Sequence, residues 1–340
     1  MKLLFIGGTG IISSACVRLA ARRGHQVHLL NRGRRELNLC DLPGVTIHHA
    51  DIRQPDTVAA AIGDHRFDVV ADFIAFTPDH IETDLALFRD RVDKQYLFIS
   101  SASVYQKPLK HYLITEDTPL DNPFWEYSRN KITCELRLMR AWRDEQFPVT
   151  IVRPSHTYNE QYLPTAVGSG PTVVARMRAG KPVIVHGDGQ SLWVLTHNTD
   201  FAQAFIGLLG RPEALGQAYH ITSDEVLNWD TIYQQIADAA GVPADRLRLI
   251  HLPSDYLTLF SPDRRGSLLG DKAVSVVFDN SKIKSLVPGY AASGGGVPFA
   301  EGARQAVAWM DADPIRARPD PAQDAAMDQM IACWEKALPQ

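Results

Sequence analysis

The first 24 residues carry the pattern that most constrains the fold of this chain. Residues 1–6 form a short apolar run that leads directly into the glycine-rich segment 7–10, Gly-Gly-Thr-Gly. From Ile11 onward the apolar residues follow helical spacing, and Gly24 stands where the helix would end. A buried strand, a glycine turn and a helix in immediate succession are typical of the first unit of a parallel α/β sheet.

The glycine segment predicts a binding site for the phosphates of a dinucleotide. Gly8 and Gly10 would let the backbone approach a pyrophosphate closely, and the free N–H groups of the first helical turn would face the same anion. The spacing matches the dinucleotide fingerprint up to its last position, where the small residue Ser13 replaces glycine. An ordinary strand-to-helix turn without a nucleotide is the alternative, and the N-terminal position favours nucleotide binding.

The end of the second strand bears on which nucleotide is bound. A strand pattern over 26–30 is followed by Asn31, Arg32, Gly33, Arg34 and Arg35. An NAD-selective site usually places Asp or Glu here, to accept a hydrogen bond from the ribose 2′-hydroxyl. Asn31 is uncharged, whereas the arginines could bind a 2′-phosphate. We therefore expect NADP or NAD as the cofactor, with NADP slightly favoured; a solvated basic loop is the alternative interpretation.

Strand and helix patterns alternate through the first half of the chain. Short apolar strand candidates at 45–48, 68–74, 95–99 and 150–152 alternate with helical stretches at 56–62, 80–91 and 127–143. Apolar strands between helices predict a parallel sheet covered on both faces. We therefore expect an α/β fold, with a Rossmann-type doubly wound parallel sheet and a smaller C-terminal substrate-binding domain.

The pattern also suggests domain boundaries. We expect residues 1–155 and a returning segment at about 187–215 to form the NAD(P)-binding domain. About 156–186 and 216–310 would form the substrate-binding domain. Residues 311–324 are rich in proline and charge and predict an extended connector, before a docking helix over 325–338. The apolar stripe of that helix is Met327, Met330, Ile331, Trp334 and Leu338.

Composition excludes several classes of partner. The 35 Lys and Arg stand against 39 Asp and Glu, a net charge of −4, which argues against bulk attraction to nucleic acid or an anionic membrane. No signal peptide or membrane-spanning run is evident, so we expect a cytoplasmic protein. The four cysteines are scattered and predict reduced thiols. The twelve histidines lack metal-ligand spacing, so we expect no metal.

Three residues together indicate carbonyl chemistry. Tyr127 and Lys131 lie four positions apart on a predicted helix and so share one face. A nearby ammonium would lower the pKa of the phenol, which could then exchange a proton with a substrate alcohol or ketone. Ser101 follows the strand that ends at Ile99 and could polarise the same oxygen. A surface helix often carries Tyr and Lys by chance, and the combination with Ser101 and the glycine turn favours catalysis.

The chain resembles an extended short-chain dehydrogenase/reductase of the NAD-dependent epimerase/dehydratase family. The resemblance covers about residues 1–308 and includes relatives similar to sugar-nucleotide 4-epimerases and to chloroplast stem-loop-binding proteins. It lies in the glycine segment 7–12, in 51–53, in the serine segment 100–105, in 127–131, in 153–158 and in 187–200. The family implies that Ser101, Tyr127 and Lys131 are catalytic. Implied cofactor contacts are Gly7, Thr9, Gly10, Ile11, Ile12, Asn31, Arg32, Asp51, Ile52, Ala75, Tyr127, Lys131, Pro154 and His156.

Three departures from the family pattern affect the expected substrate. Sugar-nucleotide epimerases resembling this chain usually have an arginine where Trp193 stands, which weakens the case for a UDP-sugar. Arg264 and Arg265 are the candidates to supply the missing charge. The dehydratase branch has an Asp-Glu pair where this chain has Ala102 and Ser103, so 4,6-dehydration is not expected. Asn31 replaces the usual acid. We expect Ser103, Trp193 and Arg265 to contact the substrate.

Two enzymatic interpretations therefore remain, and one binding alternative. The first is epimerisation of a sugar or sugar nucleotide, with the hydride returned to the substrate. The second is net NADP(H)-dependent oxidation or reduction of a carbohydrate-like substrate. Trp193 could stack on a sugar ring or could simply be a core residue. The stem-loop-binding relatives suggest RNA binding, which the net charge of −4 does not favour. The family also implies a homodimer through paired helices, for which 80–91 and 127–143 are the candidates.

Overall fold

The computed structural model describes residues 1–33, 42, 44–290 and 296–337. Arg34 and Arg35, which were predicted as possible ligands of a 2′-phosphate, lie outside the described residues, as do Cys40 and Leu338. The centre of the molecule is a seven-stranded sheet in the order β12-β7-β5-β4-β1-β2-β3, and every pair in it is parallel. The predicted Rossmann-type α/β fold is thereby confirmed.

The strands of the described residues fall into this central sheet and four short pairs. In chain order they are β1 (Lys2–Ile6), β2 (Gln26–Asn31), β3 (Val45–His49), β4 (Phe67–Asp72), β5 (Val92–Ile99), β6 (Leu113–Ile114), β7 (Val149–Pro154), β8 (His156–Tyr158), β9 (Val183–His186), β10 (Leu192–Trp193), β11 (Leu195–His197), β12 (Gln217–Ile221), β13 (Leu227–Asn228), β14 (Leu249–Leu252) and β15 (Val277–Phe278).

The α-helices cover both faces of the sheet and fill the second half of the chain. They are α1 (Ile11–Arg22), α2 (Pro55–Ile62), α3 (Pro78–Phe88), α4 (Glu126–Glu145), α5 (Gly170–Arg178), α6 (Asn198–Leu208), α7 (Trp229–Ala239), α8 (Ser254–Phe260), α9 (Arg265–Ser267), α10 (Ser281–Leu286), α11 (Phe299–Asp311) and α12 (Pro321–Ala337). A π-helical turn, Leu268–Lys272, continues α9.

The central sheet is buried on both faces because apolar residues predominate in its inner strands. Helices α1 and α6 pack on one face, around a core that includes Phe5 and Phe205. Helices α2, α3 and α4 cover the other face, around Phe98 and Leu138. The strand order reverses between β1 and β4, and the carboxyl ends of strands at such a switch point form the usual ligand crevice of open α/β sheets.

The last strand of the sheet lies beyond the predicted returning segment. β12 pairs with β7 along its length, from Gln217 opposite Thr150 to Ile221 opposite Pro154. The return to the main sheet therefore extends past residue 215, the approximate end predicted from sequence. The sequence pattern did not predict this strand, because its apolar run is short and it begins directly after Gly216, a residue typical of turns.

A second core lies outside the sheet and contains Trp229 and Tyr233 on α7 and Phe299 on α11. Helix α12 packs against this second core through Met327, Met330 and Ile331, which are buried. The predicted extended connector is shorter than expected, since α12 begins at Pro321 rather than at 325. The backbone N–H of Ala322 donates to the Asp320 carboxylate at 2.9 Å, so aspartate and proline start the helix together.

Candidate active site

The glycine turn after β1 is packed so tightly that side chains do not fit. Gly7 has a φ of +82°, and a Cβ there would lie 2.5 Å from Cγ2 of Ile74. A Cβ on Gly8 would lie 2.7 Å from Cδ2 of Leu29. Both positions therefore require glycine, and the backbone of the turn lies directly at the crevice, which Gly7 and Gly10 line.

Ser13, which departs from the glycine fingerprint, stabilises this turn through two hydrogen bonds. Its hydroxyl donates to the Gly7 carbonyl at 2.7 Å and accepts from the Gly10 N–H at 2.9 Å. The side chain is buried at the start of α1. Serine at the third position is therefore compatible with the predicted phosphate turn, since it closes the loop on itself and leaves the N-terminus of α1 open.

A cavity of about 610 Å³ extends from the glycine turn across the ends of β1, β2 and β4. Seven of the predicted cofactor contacts line it, namely Gly7, Thr9, Gly10, Asn31, Arg32, Asp51 and Ile52. Ile11 and Ile12 lie in the first turn of α1, where the Ile11 carbonyl accepts from the Asn198 amide at 3.0 Å. The volume lies within the usual range of small-molecule and cofactor sites.

Arg53 also lines this cavity and was missed as a site residue. Its Nη2 donates to the Ile74 carbonyl, whereas its Nη1 is buried and has no partner among the described residues. A buried guanidinium N–H without an acceptor is costly unless a ligand supplies one. An anionic or carbonyl-rich ligand such as a dinucleotide therefore fits this cavity, with Arg53 and the start of α1 as its donors.

Asn31 and Arg32 lie at the far end of the cavity. The Asn31 side-chain oxygen accepts from the Gly33 N–H at 2.9 Å, and its amide NH₂ has no acceptor within the part of the chain that the structure describes. Arg32 is half exposed, and its guanidinium stands 3.9 Å from the Asp51 carboxylate. The amide NH₂ and the guanidinium are both donors, so this end of the cavity is suited to an acceptor group on a ribose.

Lys131 is fixed at the base of the site by two backbone carbonyls. The residue lies on α4, one turn after Tyr127, and is 1% exposed. Its Nζ donates to the carbonyls of Ala75 and Ile99, each at 2.6 Å. An ammonium has three N–H donors, and the third has no acceptor among the described residues, so it can serve a ligand. Ala75, a predicted cofactor contact, thus positions Lys131.

The surroundings of Lys131 are aromatic as well as polar. Its Nζ lies 4.8 Å from the ring centre of Phe76 and 4.7 Å from that of Phe98, within the range of cation–π contacts. Burial lowers the pKa of Lys131 to about 8, and the Asp72 carboxylate opposes part of this fall. The lysine therefore changes its charge close to neutral pH.

The expected lowering of the Tyr127 pKa is wrong for this structure. Burial raises the pKa of Tyr127 to about 12; a hydrogen bond with Ser101 opposes the rise, and the charge of Asp271 adds to it. The Lys131 ammonium lies 5.8 Å from the centre of the phenol ring and donates to carbonyls. Burial of the phenol thus outweighs the neighbouring charge that the sequence interpretation invoked.

Three hydroxyl groups form a chain beneath the phenol. Ser101 and Ser103 lie 2.9 Å apart through their Oγ atoms, and Ser103 and Ser128 lie 2.7 Å apart. The Ser103 N–H also donates to the Ser101 hydroxyl at 3.2 Å. Ser103, predicted to contact the substrate, therefore also holds Ser101 in place.

A second cavity of about 240 Å³ lies beside Tyr127. The structure brings together in its wall the predicted residues Ser101, Ser103, Tyr127, Pro154, His156 and Trp193. It is smaller than a typical drug-sized site of roughly 300–1,000 Å³. The cavity is thus suited to one small ring.

Trp193 and His156 form one wall of this second cavity. The Trp193 indole N–H donates to His156 Nδ1 at 3.2 Å, and Trp193 is 2% exposed. Burial lowers the pKa of His156 to about 3, and Lys272 adds to the fall, so the imidazole is neutral. The tryptophan is held by its neighbours, so it presents a fixed surface and adds no positive charge.

Arg265 does not line either cavity and is exposed, contrary to the expectation that it contacts the substrate. The next residue, Gly266, packs on Trp125, where a Cβ would lie 2.2 Å from the ring. This packing turns Arg265 toward solvent. Arg264 instead lines a neighbouring cavity of about 380 Å³, which shares Lys272 with the second cavity.

Asp271 and Lys272 were not predicted, and both line the second cavity. They lie on the π-helical turn after α9, which Asn122 ties to the serine segment. The Asn122 amide donates to the carbonyls of Gly270 at 2.7 Å and Ser103 at 2.8 Å. No sequence motif predicts this contact, because it joins segments about 150 positions apart in the chain.

In residues 1–33, 42, 44–290 and 296–337, no three His, Cys, Asp or Glu side chains gather as metal ligands. Within the same ranges, no helix has the length and apolar character needed to cross a bilayer.

Known proteins resemble this chain along most of its length. The profile of the NAD dependent epimerase/dehydratase family matches residues 3–222. A 2′-dehydrokanamycin reductase from Streptomyces kanamyceticus is 25% identical over 297 residues, 87% of this chain and 81% of that protein. A UDP-glucose 4-epimerase from Lactobacillus helveticus is 31% identical over 161 residues, 43% of this chain and 48% of that protein.

A chloroplast stem-loop binding protein of 41 kDa from Arabidopsis thaliana is 27% identical over 256 residues, 71% of this chain. The match spans 64% of that relative's length. Among solved structures, UDP-glucose 4-epimerase from Bifidobacterium longum, in complex with NAD⁺ and UDP, has a TM-score of 0.72 at 18% identity. That match covers 92% of this chain and 99% of the other. Identity at this level shows a shared fold.

Proposed function

The chain belongs to the NAD-dependent epimerase/dehydratase family, and from this membership we propose that it transfers a hydride between a bound nicotinamide cofactor and a carbohydrate-like alcohol or ketone. Relatives in this family include epimerases, dehydratases and reductases, which supports an oxidoreductase-type enzyme. One observation carries the proposal. Ser101 and Tyr127 face a small cavity, while Lys131 stands buried behind them with one N–H to spare.

Each of the three side chains has a separate task in this proposal. The Ser101 hydroxyl donates to the reacting oxygen of the substrate. The Tyr127 hydroxyl gives its proton to that oxygen during reduction and takes it back during oxidation. Lys131 uses its free N–H to hold the nicotinamide ribose. The nicotinamide supplies the hydride acceptor or donor and, when oxidised, a positive charge that favours the tyrosinate.

Epimerisation of a sugar or sugar nucleotide is the first candidate reaction. The UDP-glucose 4-epimerase relatives support it, as does the presence of both partners for proton transfer, Ser101 and Tyr127. In this reaction the hydride returns to the substrate, so no net change in the cofactor is expected.

Net oxidation or reduction is the second candidate, and Trp193 favours it. A buried tryptophan stands where the resemblance to sugar-nucleotide epimerases implies a diphosphate-binding arginine, and the cavity beside it has room for one small ring. The reductase relative, which matches 87% of this chain, supports the same interpretation.

We also make proposals about the cofactor preference, the oligomeric state and the location of the protein. We favour NADP over NAD because Asn31 is uncharged and Arg32 lines the cofactor cavity. We favour a homodimer through α3 and α4, whose outer surface includes Leu136 at 62% exposure. We also favour a cytoplasmic enzyme. RNA binding, suggested by the stem-loop binding relative, is the less favoured function because the net charge is −4.

One assay separates these candidates. The purified protein is incubated with NADP or NAD and a panel of sugars, sugar nucleotides and aminoglycoside-like alcohols. Stoichiometric growth of reduced-nicotinamide absorbance indicates a dehydrogenase. Product without a net absorbance change indicates an epimerase. Absence of both, together with a salt-sensitive shift of structured RNA, would replace the enzymatic proposal with RNA binding.

A further inference from the structure

Two buried aspartates stand behind Lys131 on different elements. Asp72 ends β4 and Asp84 lies in the middle of α3, and neither side chain is exposed to solvent. The Asp72 Oδ1 atom accepts from the backbone N–H groups of Ile74 and Ala75, the latter at 2.9 Å. The Ala75 carbonyl in turn accepts from Lys131 at 2.6 Å. Asp72 thus holds the loop that holds the lysine.

Only one of the two carboxyl oxygens of Asp84 has a hydrogen-bond donor among the described residues. The Tyr96 hydroxyl donates to Asp84 Oδ2 at 2.6 Å, deep in the core. Asp84 Oδ1 has no donor among the described residues, and the same is true of Asp72 Oδ2. The two carboxyl groups nevertheless interact, because a side-chain hydrogen bond with Asp72 is among the causes that raise the pKa of Asp84. Two carboxylates at that distance cannot both be ionised without strong repulsion, unless a proton lies between them.

We propose that Asp72 and Asp84 share one proton, carried on Asp84 Oδ1 and donated to Asp72 Oδ2, and that the pair positions Lys131. The Tyr96 O–H occupies the other Asp84 oxygen, so Oδ1 is the atom left to carry the proton. Asp84 is then a neutral acid that orients Asp72. Asp72 keeps a single negative charge near the lysine and fixes the Ala75 carbonyl.

The neighbouring charged groups agree with this arrangement. Burial raises the pKa of Asp84 well above its ordinary range, and Asp72 adds to the rise. Burial also raises the pKa of Tyr96, so its hydroxyl remains a donor. The other titratable or charged groups that the described part of the chain places around the pair are Arg53, His80, Lys131, Cys134 and Glu135. Lys131 and Arg53 carry positive charge, and the single negative charge shared by the two aspartates partly balances it.

Infrared difference spectroscopy tests the shared proton without any substrate or nucleotide. Wild-type protein at pH 8 should show a carbonyl stretch of a protonated carboxylic acid, and Asp84→Asn should remove it. The exposed Asp79→Asn, on the same helix, serves as the matched control and should leave that band in place. Tyr96→Phe should move the band to higher frequency, because the acid's carbonyl loses its donor. If Asp84→Asn removes no such band, or if Tyr96→Phe leaves it unshifted, the shared proton is excluded.

The pH dependence of melting gives a second readout. An acid that stays protonated when folded, but ionises when unfolded, loses stability as pH rises above the ordinary aspartate range. The melting temperature of the wild type relative to Asp84→Asn should therefore fall between pH 5 and pH 8. Asparagine can replace the donor at Oδ1, so the variant should fold. A difference in melting temperature that is constant with pH would contradict the proposal.

The link to Lys131 rests on the proposed function and is tested separately. The variant Asp72→Asn/Asp84→Asn removes the negative charge, so nucleotide affinity should begin to fall at a lower pH than in the wild type. Asp84→Asn alone should leave that midpoint unchanged. An unchanged midpoint in the double variant would exclude the positioning role. Failure of the wild type to bind any nucleotide would instead refute the proposed function, while the infrared result would still decide the shared proton.

Discussion

Lys131 donates to the carbonyl oxygen of Ala75 at 2.6 Å and thereby joins the helix that carries Tyr127 to the loop after β4. A second bond of equal length, to the Ile99 carbonyl, joins it to β5, the strand before Ser101. The ammonium is thus the point at which three elements of the site meet. Its charge state should govern ligand binding at neutral and alkaline pH.

The first prediction concerns nucleotide affinity. Because the pKa of Lys131 lies at about 8, its charged form supports binding below that pH and is lost above it. Wild-type affinity for NADPH should fall as pH rises from 7 to 9. Lys131→Met should bind roughly tenfold more weakly at pH 7, since a hydrogen bond to a charged group contributes about 1.5–3 kcal/mol. Fluorescence titration measures both, with the exposed Lys94→Met as control. A pH-independent affinity in the wild type would contradict this role.

The second prediction concerns the phenol. Tyr127→Phe should lower turnover by about 10²–10⁴-fold, the usual contribution of a general acid or base, while nucleotide binding survives. Because burial raises the pKa of Tyr127 to about 12, oxidation of an alcohol should speed up as pH rises. The control is Tyr112→Phe, whose residue is 80% exposed. Steady-state assays with a substrate that the wild type converts measure this effect. Unchanged turnover in Tyr127→Phe would remove Tyr127 from the mechanism.

The third prediction concerns stability beneath the site. Arg153 of β7 and Glu135 of α4 form a buried ion pair at 2.6 Å, with their side chains 6% and 2% exposed. Glu135→Ala should lower the free energy of unfolding by about 3–5 kcal/mol, because it leaves a buried guanidinium without its partner. Asp144→Ala removes the exposed partner of Arg140 on the same helix and should leave stability near wild type. Urea denaturation compares the free energies of unfolding of the two variants. Equal losses would show that burial does not determine the contribution of the ion pair to stability.

The fourth prediction concerns acid sensitivity. Burial lowers the pKa of His28 from 6.5 to about 4, and the charges of His48, Lys2 and His65 add to the fall. The unfolded chain therefore takes up a proton at His28 below about pH 6.5 while the folded chain does not, so stability falls between pH 6.5 and 4. His28→Gln should flatten that slope, and the exposed His49→Gln should not. Melting curves across this range check it, and parallel slopes would refute it.

Local patterns allowed much of the fold and part of the site to be predicted. The glycine turn, β1 and α1 are consecutive in the chain, so periodicity alone predicts them. Tyr127 and Lys131 share a helical face, and Ser101 follows a strand that ends at the same edge of the sheet. These side chains therefore converge once the strands are parallel.

The remaining features depend on contacts between distant segments. Arg53 faces the cofactor cavity because the loop after β4 supplies its acceptor. Asp271 reaches the second cavity because Asn122 holds its turn. The raised pKa of Tyr127 reflects the packing around the phenol, to which the spacing between Tyr127 and Lys131 gives no guide. The short β12 was missed because its pairing with β7 defines it more than its own sequence does.

Binding of a nicotinamide dinucleotide is the central claim, and a titration of the wild-type protein tests it most directly. NADPH and NADH are each added while nucleotide fluorescence is followed, with Gly7→Val as the variant that should lose binding through strain at φ +82° and the clash with Ile74. Gly289→Ala, where a Cβ would meet no atom of the described residues within 4 Å, is the control that should retain binding. We expect saturable binding in the wild type, tighter for NADPH. A wild-type protein that binds neither nucleotide would contradict the account.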